Sequence, residues 1–190
     1  IDFRNTAKSE AYAIALNAQI NPTWKSSIKI SKGIDEYIDK QLYDWTLYDY
    51  IAQNNLYKTT QDQLTWQNNI QLSKGTLTLL YDRLEQKIKT TEYYQKNNRV
   101  NNGFMAGYSI IENKHNFQMN IREDLNRNYD DSLTGNIGYA YLINHNWTFA
   151  TSAGTAFVSP TFNFAYATAD PDALGNPDLK PEKSKNIEVS

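Results

Sequence analysis

The sequence predicts an all-β protein, an antiparallel barrel wall that spans a membrane, and three observations support this. Apolar and polar side chains alternate with a period of two over much of the 190 residues. Many alternating runs are about ten residues long, which is the length that a tilted strand needs to cross a bilayer. Short and long connections between the runs also alternate along the chain.

The composition is polar and aromatic without being highly charged. Aromatic residues make up 13% of the chain, charged residues make up 21%, and the formal net charge is -2. A disordered chain would combine few aromatic residues with a large net charge. The near-neutral charge gives no support for nucleic-acid binding. The absence of cysteine excludes disulfides, thiolate metal sites and cysteine nucleophiles.

Neither a transmembrane helix nor a signal peptide is predicted. The sequence contains no run of 18 apolar residues, which a membrane-spanning helix would need. Residues 1–4 do not begin the apolar core of a signal peptide. An exported protein with this sequence would be either a mature chain or an excerpt.

The alternation predicts about eight strands and the start of a ninth. In residues 11–20, Tyr12, Ile14 and Leu16 share one face, and small or polar side chains occupy the other face. Comparable runs are 24–30, 63–72, 76–82, 103–110, 117–122, 137–143 and 147–157, and Ile187 and Val189 begin a further strand.

The connections predict the orientation of the strands. Short turns are expected at 21–23, 73–75, 112–115 and 144–146, and longer loops at 32–61, 89–101, 123–132 and 158–183. Transmembrane barrels have short periplasmic turns and longer extracellular loops. Trp24 and Trp147 each follow a short turn, where an interfacial aromatic girdle is expected. A soluble antiparallel sandwich would also alternate, but its strands are typically about five or six residues long.

The chain from Trp147 onward resembles a known family. The matching segments are Gly154–Phe157, Ser159–Phe162 and Gly175–Glu182. They resemble the TonB-dependent receptors of Gram-negative outer membranes, in which an Ala usually stands where this chain has Ser159. The continuation Lys183–Asn186 is most similar to the cobalamin transporters within that family.

The residues that carry this resemblance are interpreted as structural. Pro177 and Pro181 restrict the backbone to extended conformations and cannot donate ladder hydrogen bonds. We therefore expect an ordered, non-strand segment that leads into the next strand. The motif residues are Gly154, Pro160, Asn176, Pro177, Leu179, Pro181 and Glu182.

The resemblance implies a 22-stranded barrel in the bacterial outer membrane, in contact with membrane lipid and filled by an N-terminal plug domain. Passage of the ligand would be driven by the TonB complex. Residues 1–190 contain no plug sequence, no TonB-contacting box and no terminal aromatic residue of the kind that ends such barrels. Because about eight strands would leave two open edges, we expect a partial barrel domain from a longer chain.

The predicted function is energy-coupled uptake of a bulky nutrient, with cobalamin as the first candidate and an iron-siderophore complex as the alternative. A general porin, an outer-membrane enzyme and a soluble β-sheet adhesion domain are alternatives from other classes. No nucleophile elbow, phosphate loop or metalloprotease motif is present, so no enzyme is predicted. His115 and His145 lie in separate short turns and do not indicate a metal pair.

Aromatic residues in the predicted outer loops are the candidate ligand contacts, because amphipathic rings suit capture of a large, partly apolar ligand. Packing of the loops onto one another is the alternative role. The candidates are Tyr37, Tyr43, Trp45, Tyr48, Tyr50, Phe162 and Tyr166.

No cofactor is predicted from the residues. The similarity to cobalamin receptors makes calcium in the extracellular loops an option, because loop carboxylates can supply several of its oxygen ligands. A solvated role for these acids is the alternative. The loop acids are Asp35, Glu36, Asp39, Asp44, Asp49, Asp124, Asp130, Asp131, Asp170 and Asp172.

Overall fold

The computed structural model describes residues 5–44, 46–126, 128–167 and 175–190, and within these it describes only the backbone of 41–44 and 49–53. The described chain forms one antiparallel sheet of nine strands in sequence order, which confirms the predicted fold class. The elements are β1 (Thr6–Asn21), β2 (Trp24–Asp44), β3 (Asp49–Gln71), β4 (Thr76–Thr90), β5 (Asn98–Glu112), β6 (His115–Asn126), β7 (Ser132–Asn144), β8 (Trp147–Val158), α1 (Phe162–Tyr166) and β9 (Glu182–Val189).

The sheet is open, with β1 and β9 at its two edges. Two-residue turns join β1 to β2, β5 to β6 and β7 to β8, and a slightly longer turn joins β3 to β4. All four lie at one end of the strands, which we call the short-turn end. The opposite end, where the longer connections lie, is the loop end. None of the helices in the described ranges has the length and apolar character needed to span a bilayer.

Each strand carries one apolar face and one polar face, as the alternation predicts. The register places Ile14 opposite Ile30, and Ile30 opposite Leu64, on the face that we call the outer face. The inner face carries small and polar side chains such as Gln67 and Gly107. Ile14 is 75% exposed, although it lies in the middle of its strand. A large exposed apolar surface of this kind indicates contact with lipid.

The apolar part of the outer face has a limited height. On β1 it extends from Tyr12 to Ile20, and charged side chains begin toward the loop end at Lys32 on β2 and Asp62 on β3. We call this part of the outer face the apolar band. Its height of about nine or ten residues matches the length of a tilted transmembrane strand.

Aromatic side chains mark the short-turn end of the apolar band. Trp147 is 69% exposed on the outer face. His115 Nδ1 and the Tyr139 hydroxyl share a hydrogen bond of 2.8 Å, and the His115 ring centroid lies 5.0 Å from that of Tyr141. Rings with polar tips prefer the boundary between lipid and water. This end therefore has the composition of an interfacial girdle, as the positions of Trp24 and Trp147 predicted.

The prediction of a loop over 32–61 is wrong, because most of that segment is strand. β2 continues to Asp44 and β3 begins at Asp49, so only four residues separate them. Beyond the apolar band both faces carry polar or charged groups. The period of two therefore disappears from the sequence, although the backbone pairing continues. Cross-strand pairs such as Tyr37 with Tyr57, and Glu36 with Lys58, maintain the register there.

The other long loops are also shorter than predicted. Strands occupy about half of 89–101 and half of 123–132, which leaves connections at 91–97 and 127–131. The segment 158–183 contains the short helix α1, and β9 begins at Glu182. The Thr161 hydroxyl caps the start of α1 by accepting a hydrogen bond from the Phe164 amide.

Candidate ligand-facing surface at the loop end

The short helix α1 packs against the inner face at the loop end. Phe162, Ala165 and Tyr166 are buried together with Ile88 of β4, and Tyr94 packs against this group. It is the apolar core within the described ranges, because the sheet has no second layer elsewhere. Burial of these side chains attaches the β8–β9 connection to the inner wall.

Polar contacts orient α1 on this core. The Arg99 guanidinium donates a 2.6 Å hydrogen bond from Nη1 to the Pro160 carbonyl, and its carbon lies 4.8 Å from the centroid of the Phe162 ring. The Tyr94 hydroxyl donates a 2.6 Å hydrogen bond to the Asn163 side chain. Arg99 therefore joins strand β5 to both ends of the Pro160–Phe162 segment through a charge-assisted hydrogen bond and a cation–π contact.

The residues around Asn176 fix the return of the chain toward β9. The Asn176 amide donates to the Phe164 carbonyl at 2.8 Å, and the Asn176 side chain accepts from the Asp178 amide at 2.9 Å. A Cβ atom on Gly175 would lie 2.6 Å from the Tyr166 amide nitrogen, so only glycine fits this close approach. Pro181 is buried, and Glu182 begins β9.

The other motif residues occupy tight or exposed positions. Gly154 of β8 lies between Asn136 and Asn186 in the register, and a Cβ atom there would lie 3.2 Å from side-chain atoms of both. Pro177 and Leu179 are exposed in the turn that precedes β9. The structural role of the motif residues stays a prediction.

Two tyrosines of the long β2–β3 hairpin lie on the inner face beside this core. Tyr37 and Tyr57 are directly opposite in the register, with ring centroids 6.5 Å apart. Burial raises the pKa of the Tyr57 hydroxyl, and it also raises the pKa of the Tyr94 hydroxyl. The inner face at the loop end therefore presents partly buried, uncharged aromatic rings. We call Tyr37, Tyr57 and Tyr94 the aromatic surface.

The other predicted ligand contacts do not lie together in the structure. Tyr43 and Tyr50 are opposite each other in the strands near the hairpin tip, and Tyr48 lies in the tip, 79% exposed with a φ of 50°. Trp45 lies outside the described residues. Phe162 and Tyr166 are only 7% and 2% exposed, so in this structure they pack α1 and do not face solvent.

Residue patterns alone did not reveal a charged cluster on the inner face, nearer the short-turn end than α1. Arg122 of β6 donates to Asp82 of β4 at 2.6 Å and to Asp124 at 2.7 Å. The Asn101 amide also donates to Asp124 at 2.8 Å. Gly103 of β5 lies opposite both Asp82 and Asp124, and its missing side chain leaves room for the guanidinium. The sequence feature that could have revealed this cluster is the presence of three charged residues, Asp82, Arg122 and Asp124, at inner-face positions of strands β4 and β6.

Several polar atoms next to this cluster are buried without a hydrogen-bond partner among the described residues. They are the Asn101 side-chain oxygen, both side-chain polar atoms of Asn126, and the Ser132 hydroxyl. Buried polar groups are normally paired, so these atoms are suited to contact a further polar group on the inner side of the wall.

The acidic residues do not form a metal site within the described ranges. No group of three or more His, Cys, Asp or Glu side chains converges there. Asp131 accepts a hydrogen bond from the Asn126 amide at 2.8 Å, and Asp130 lies 3.8 Å from the Lys180 ammonium. Calcium binding stays a prediction.

Comparison with known proteins identifies the family of this wall. The model of the TonB dependent receptor-like β-barrel matches residues 2–190. The chain belongs to the TonB-dependent receptor family. A vitamin B12 transporter BtuB of Photobacterium profundum is 31% identical over 148 residues, which cover 75% of this chain and 23% of the relative. A vitamin B12 transporter BtuB of Vibrio vulnificus is 24% identical over 98% of this chain and 30% of the relative.

Family membership settles the class of this receptor and its location. TonB-dependent receptors are outer-membrane transport proteins and not enzymes, which confirms the predicted localisation and the prediction that the chain is not an enzyme. The membership also removes the general porin and the soluble adhesion domain from consideration. The chain spans less than a third of the length of these two relatives.

Proposed function

We propose that this chain forms part of the wall of a receptor that imports cobalamin across the outer membrane, with energy supplied through TonB. Family membership supports outer-membrane nutrient uptake in general. The two relatives are named vitamin B12 transporters, which supports cobalamin as the nutrient. The similarity of Lys183–Asn186 to cobalamin transporters points in the same direction.

The aromatic surface is the observation that carries the choice of ligand. Large ligand sites are lined by aromatic side chains with a few polar groups, and tyrosine provides both in one residue. Tyr37, Tyr57 and Tyr94 together offer flat rings and hydroxyls without charge. Cobalamin is a bulky, amide-rich molecule with little net charge, so this surface matches its chemistry.

The cations near the aromatic surface already have partners, which favours a ligand with little net charge such as cobalamin. Arg99 is bound to the Pro160 carbonyl, and Arg122 is bound by two carboxylates. The Lys96 ammonium lies 5.4 Å from the centroid of the Tyr166 ring. A strongly anionic ligand would need to displace these contacts before a cation could pair with it. An uptake receptor for an anionic iron-siderophore complex, the second candidate, is therefore less well matched.

The uptake test uses the full-length parent receptor in cells that lack their own cobalamin receptor. We expect radiolabelled cobalamin to enter these cells and ferric siderophores to be left outside. The double variant Tyr37→Ser/Tyr57→Ser is expected to weaken cobalamin binding roughly tenfold or more, because two aromatic contacts are lost. Tyr139→Ser on the outer face is the matched control. Siderophore uptake without cobalamin uptake would overturn the proposal.

The proposed partners of the receptor are an N-terminal plug domain and the TonB complex. The charged cluster supports a plug contact on the inner face. Its two carboxylates and one guanidinium carry a net charge of about -1 at neutral pH. Together with the unpaired atoms of Asn101, Asn126 and Ser132, it is suited to bind a cationic or amide side chain of a plug.

A further inference from the structure

Strand β3 carries an uninterrupted column of neutral polar side chains on its inner face. Every inner-face position from 59 to 71 is an amide or a threonine. No register shift interrupts the pairing of this stretch with β2 or β4, so these side chains all lie on the same side of the sheet. We call its amides the amide column, which consists of Gln61, Gln63, Gln67, Asn69 and Gln71.

The amide column begins directly beneath the aromatic surface. Tyr57 lies on the same face of β3, four residues before Gln61. Thr59, between them, is opposite Ile88 in the register, and α1 packs on Ile88. The upper end of the column therefore borders both the aromatic surface and the helix that is attached to the inner wall.

The column is long enough to cross the membrane. Gln71 follows Gln61 by ten positions, and a tilted strand needs about nine to eleven residues to span a bilayer. Between these two ends, the outer face of the same strand carries Leu64, Trp66 and Ile70 of the apolar band. The column therefore connects the aromatic surface at the loop end with the periplasmic, short-turn end of the wall.

The amides of the column have hydrogen-bonding capacity that the wall does not use. Within the described ranges, the side chains of Gln61 and Gln63 are partly exposed and form no hydrogen bond with another residue. Lower down, the Gln67 amide donates to the Asn69 side-chain oxygen at 3.1 Å. A side-chain amide has two donor hydrogens and a carbonyl acceptor, so each residue keeps free groups. With Thr65 included, a neutral hydrogen-bonding group recurs every two residues, or roughly every 7 Å.

The inner faces of the two adjacent strands are not uniform in this way. β2 carries Lys25 and Lys29 among its serines, and β4 carries Asp82 between Leu80 and Leu84. A charged group would hold a polar ligand in one place. A row of weak and similar sites instead allows a ligand to bind and also to leave. Among β2, β3 and β4, only β3 is therefore suited to carry a neutral, amide-rich ligand along the wall.

We propose that the amide column forms the wall side of the path by which the nutrient moves from the aromatic surface toward the periplasm, an inference that rests on the proposed function. Amide groups of the ligand exchange hydrogen bonds successively from Gln61 and Gln63 down to Gln71. Passage then leaves few polar groups without a partner, which would otherwise cost about 1–3 kcal/mol each. The aromatic surface captures the ligand, and the column sets the rate of its passage.

The test separates capture from passage in the full-length receptor, expressed in cells that lack their own cobalamin receptor. The column variant is Gln61→Leu/Gln63→Leu, which removes two amides without a described hydrogen-bond partner. The control is Asn116→Leu/Gln118→Leu, which removes two amides from the inner face of β6. Binding of radiolabelled cobalamin to cells without TonB measures capture. The initial uptake rate at saturating cobalamin, in cells with TonB, measures passage.

We expect the column variant to bind cobalamin as tightly as the unmodified receptor and to import it roughly fivefold more slowly or less. The reason is that a neutral hydrogen bond contributes about a factor of five. The control should import cobalamin at the unmodified rate, and Gln61→Asn/Gln63→Asn, which retains both amides, should recover most of it. An unchanged uptake rate in the column variant, or an equal loss in the control, would overturn the proposal.

Three further outcomes distinguish the amide column from other roles. If the unmodified receptor neither binds nor imports cobalamin, the proposed function fails and this inference fails with it. If the column variant loses binding as much as uptake, the two glutamines belong to the capture site and the path is wrong. If its thermal unfolding temperature falls while uptake per folded receptor is unchanged, the amides contact the plug instead of the nutrient.

Discussion

The indole nitrogen of Trp24 donates a 2.9 Å hydrogen bond to the side-chain oxygen of Asn68, across the β2–β3 pair and on the outer face of the wall. Asn68 is only 9% exposed, although it lies within the apolar band. The Trp66 indole likewise donates to the Ser26 hydroxyl at 3.0 Å. In a bilayer every polar group needs a partner within the protein. The two tryptophans therefore supply donors to polar side chains at the lipid-facing surface.

Replacement of Trp24 by Phe should destabilise the receptor by about 1–3 kcal/mol, because the Asn68 oxygen loses its donor at a lipid-facing position. The measurement is the free energy of unfolding of the full-length receptor in lipid vesicles. Trp147→Phe is the control, since Trp147 is 69% exposed at the girdle. The double variant Trp24→Phe/Asn68→Leu should regain most of the loss. A loss that remains in the double variant would show that the hydrogen bond is not the cause.

Gly103→Ala should destabilise the wall by about 1–3 kcal/mol through overpacking. The added Cβ atom would lie 2.5 Å from Cζ of Arg122 and would push the guanidinium away from Asp82. Gly33→Ala is the matched control, because the nearest atom to its added Cβ is 4.0 Å away. Unfolding free energies of the two variants should differ clearly. Equal values would mean that the charged cluster tolerates the displacement.

Arg99→Gln should release α1 from the inner wall, since it removes both the bond to the Pro160 carbonyl and the contact with Phe162. Hydrogen exchange measures this locally, because the Ala165 and Asn176 amides donate to carbonyls of this segment. We expect exchange at these amides to become roughly tenfold faster or more. Amides in the centre of β6 serve as the internal control. Unchanged exchange at Ala165 would contradict the anchoring role of Arg99.

Alkaline pH should loosen the same segment. Burial raises the pKa of the Tyr166 hydroxyl above its ordinary value of 10.0, so the folded state binds this proton more tightly than the unfolded state. The resulting stability is fully present below pH 10 and is lost as the pH rises through the folded pKa. Tyrosinate absorbance and the exchange rate at Ala165 should rise together. Tyr166→Phe should retain α1 at pH values where the unmodified receptor releases it, and loss at the same pH in both would contradict this mechanism.

The amino-acid sequence determined the approximate number of strands, their faces and the positions of the short turns. Inside a bilayer one face of each strand meets lipid, so Ile14, Ile30 and Leu64 must be apolar and their neighbours need not be. The period of two follows directly from that constraint. The Asn176–Glu182 segment also identified the family, since several fixed residues at fixed spacing rarely recur by chance.

Only the tertiary structure decided where the pairing continues beyond the apolar band and what the inner face brings together. Above the band the pattern vanishes, so the strand pairing of Tyr37 with Tyr57 depends on a partner 20 residues away. The cluster of Asp82, Arg122 and Asp124 and the packing of α1 on Ile88 likewise join residues distant in sequence. The local sequence pattern shows only which face of a strand meets lipid and which face meets polar surroundings. Contacts between strands depend on register, which is set by the whole sheet.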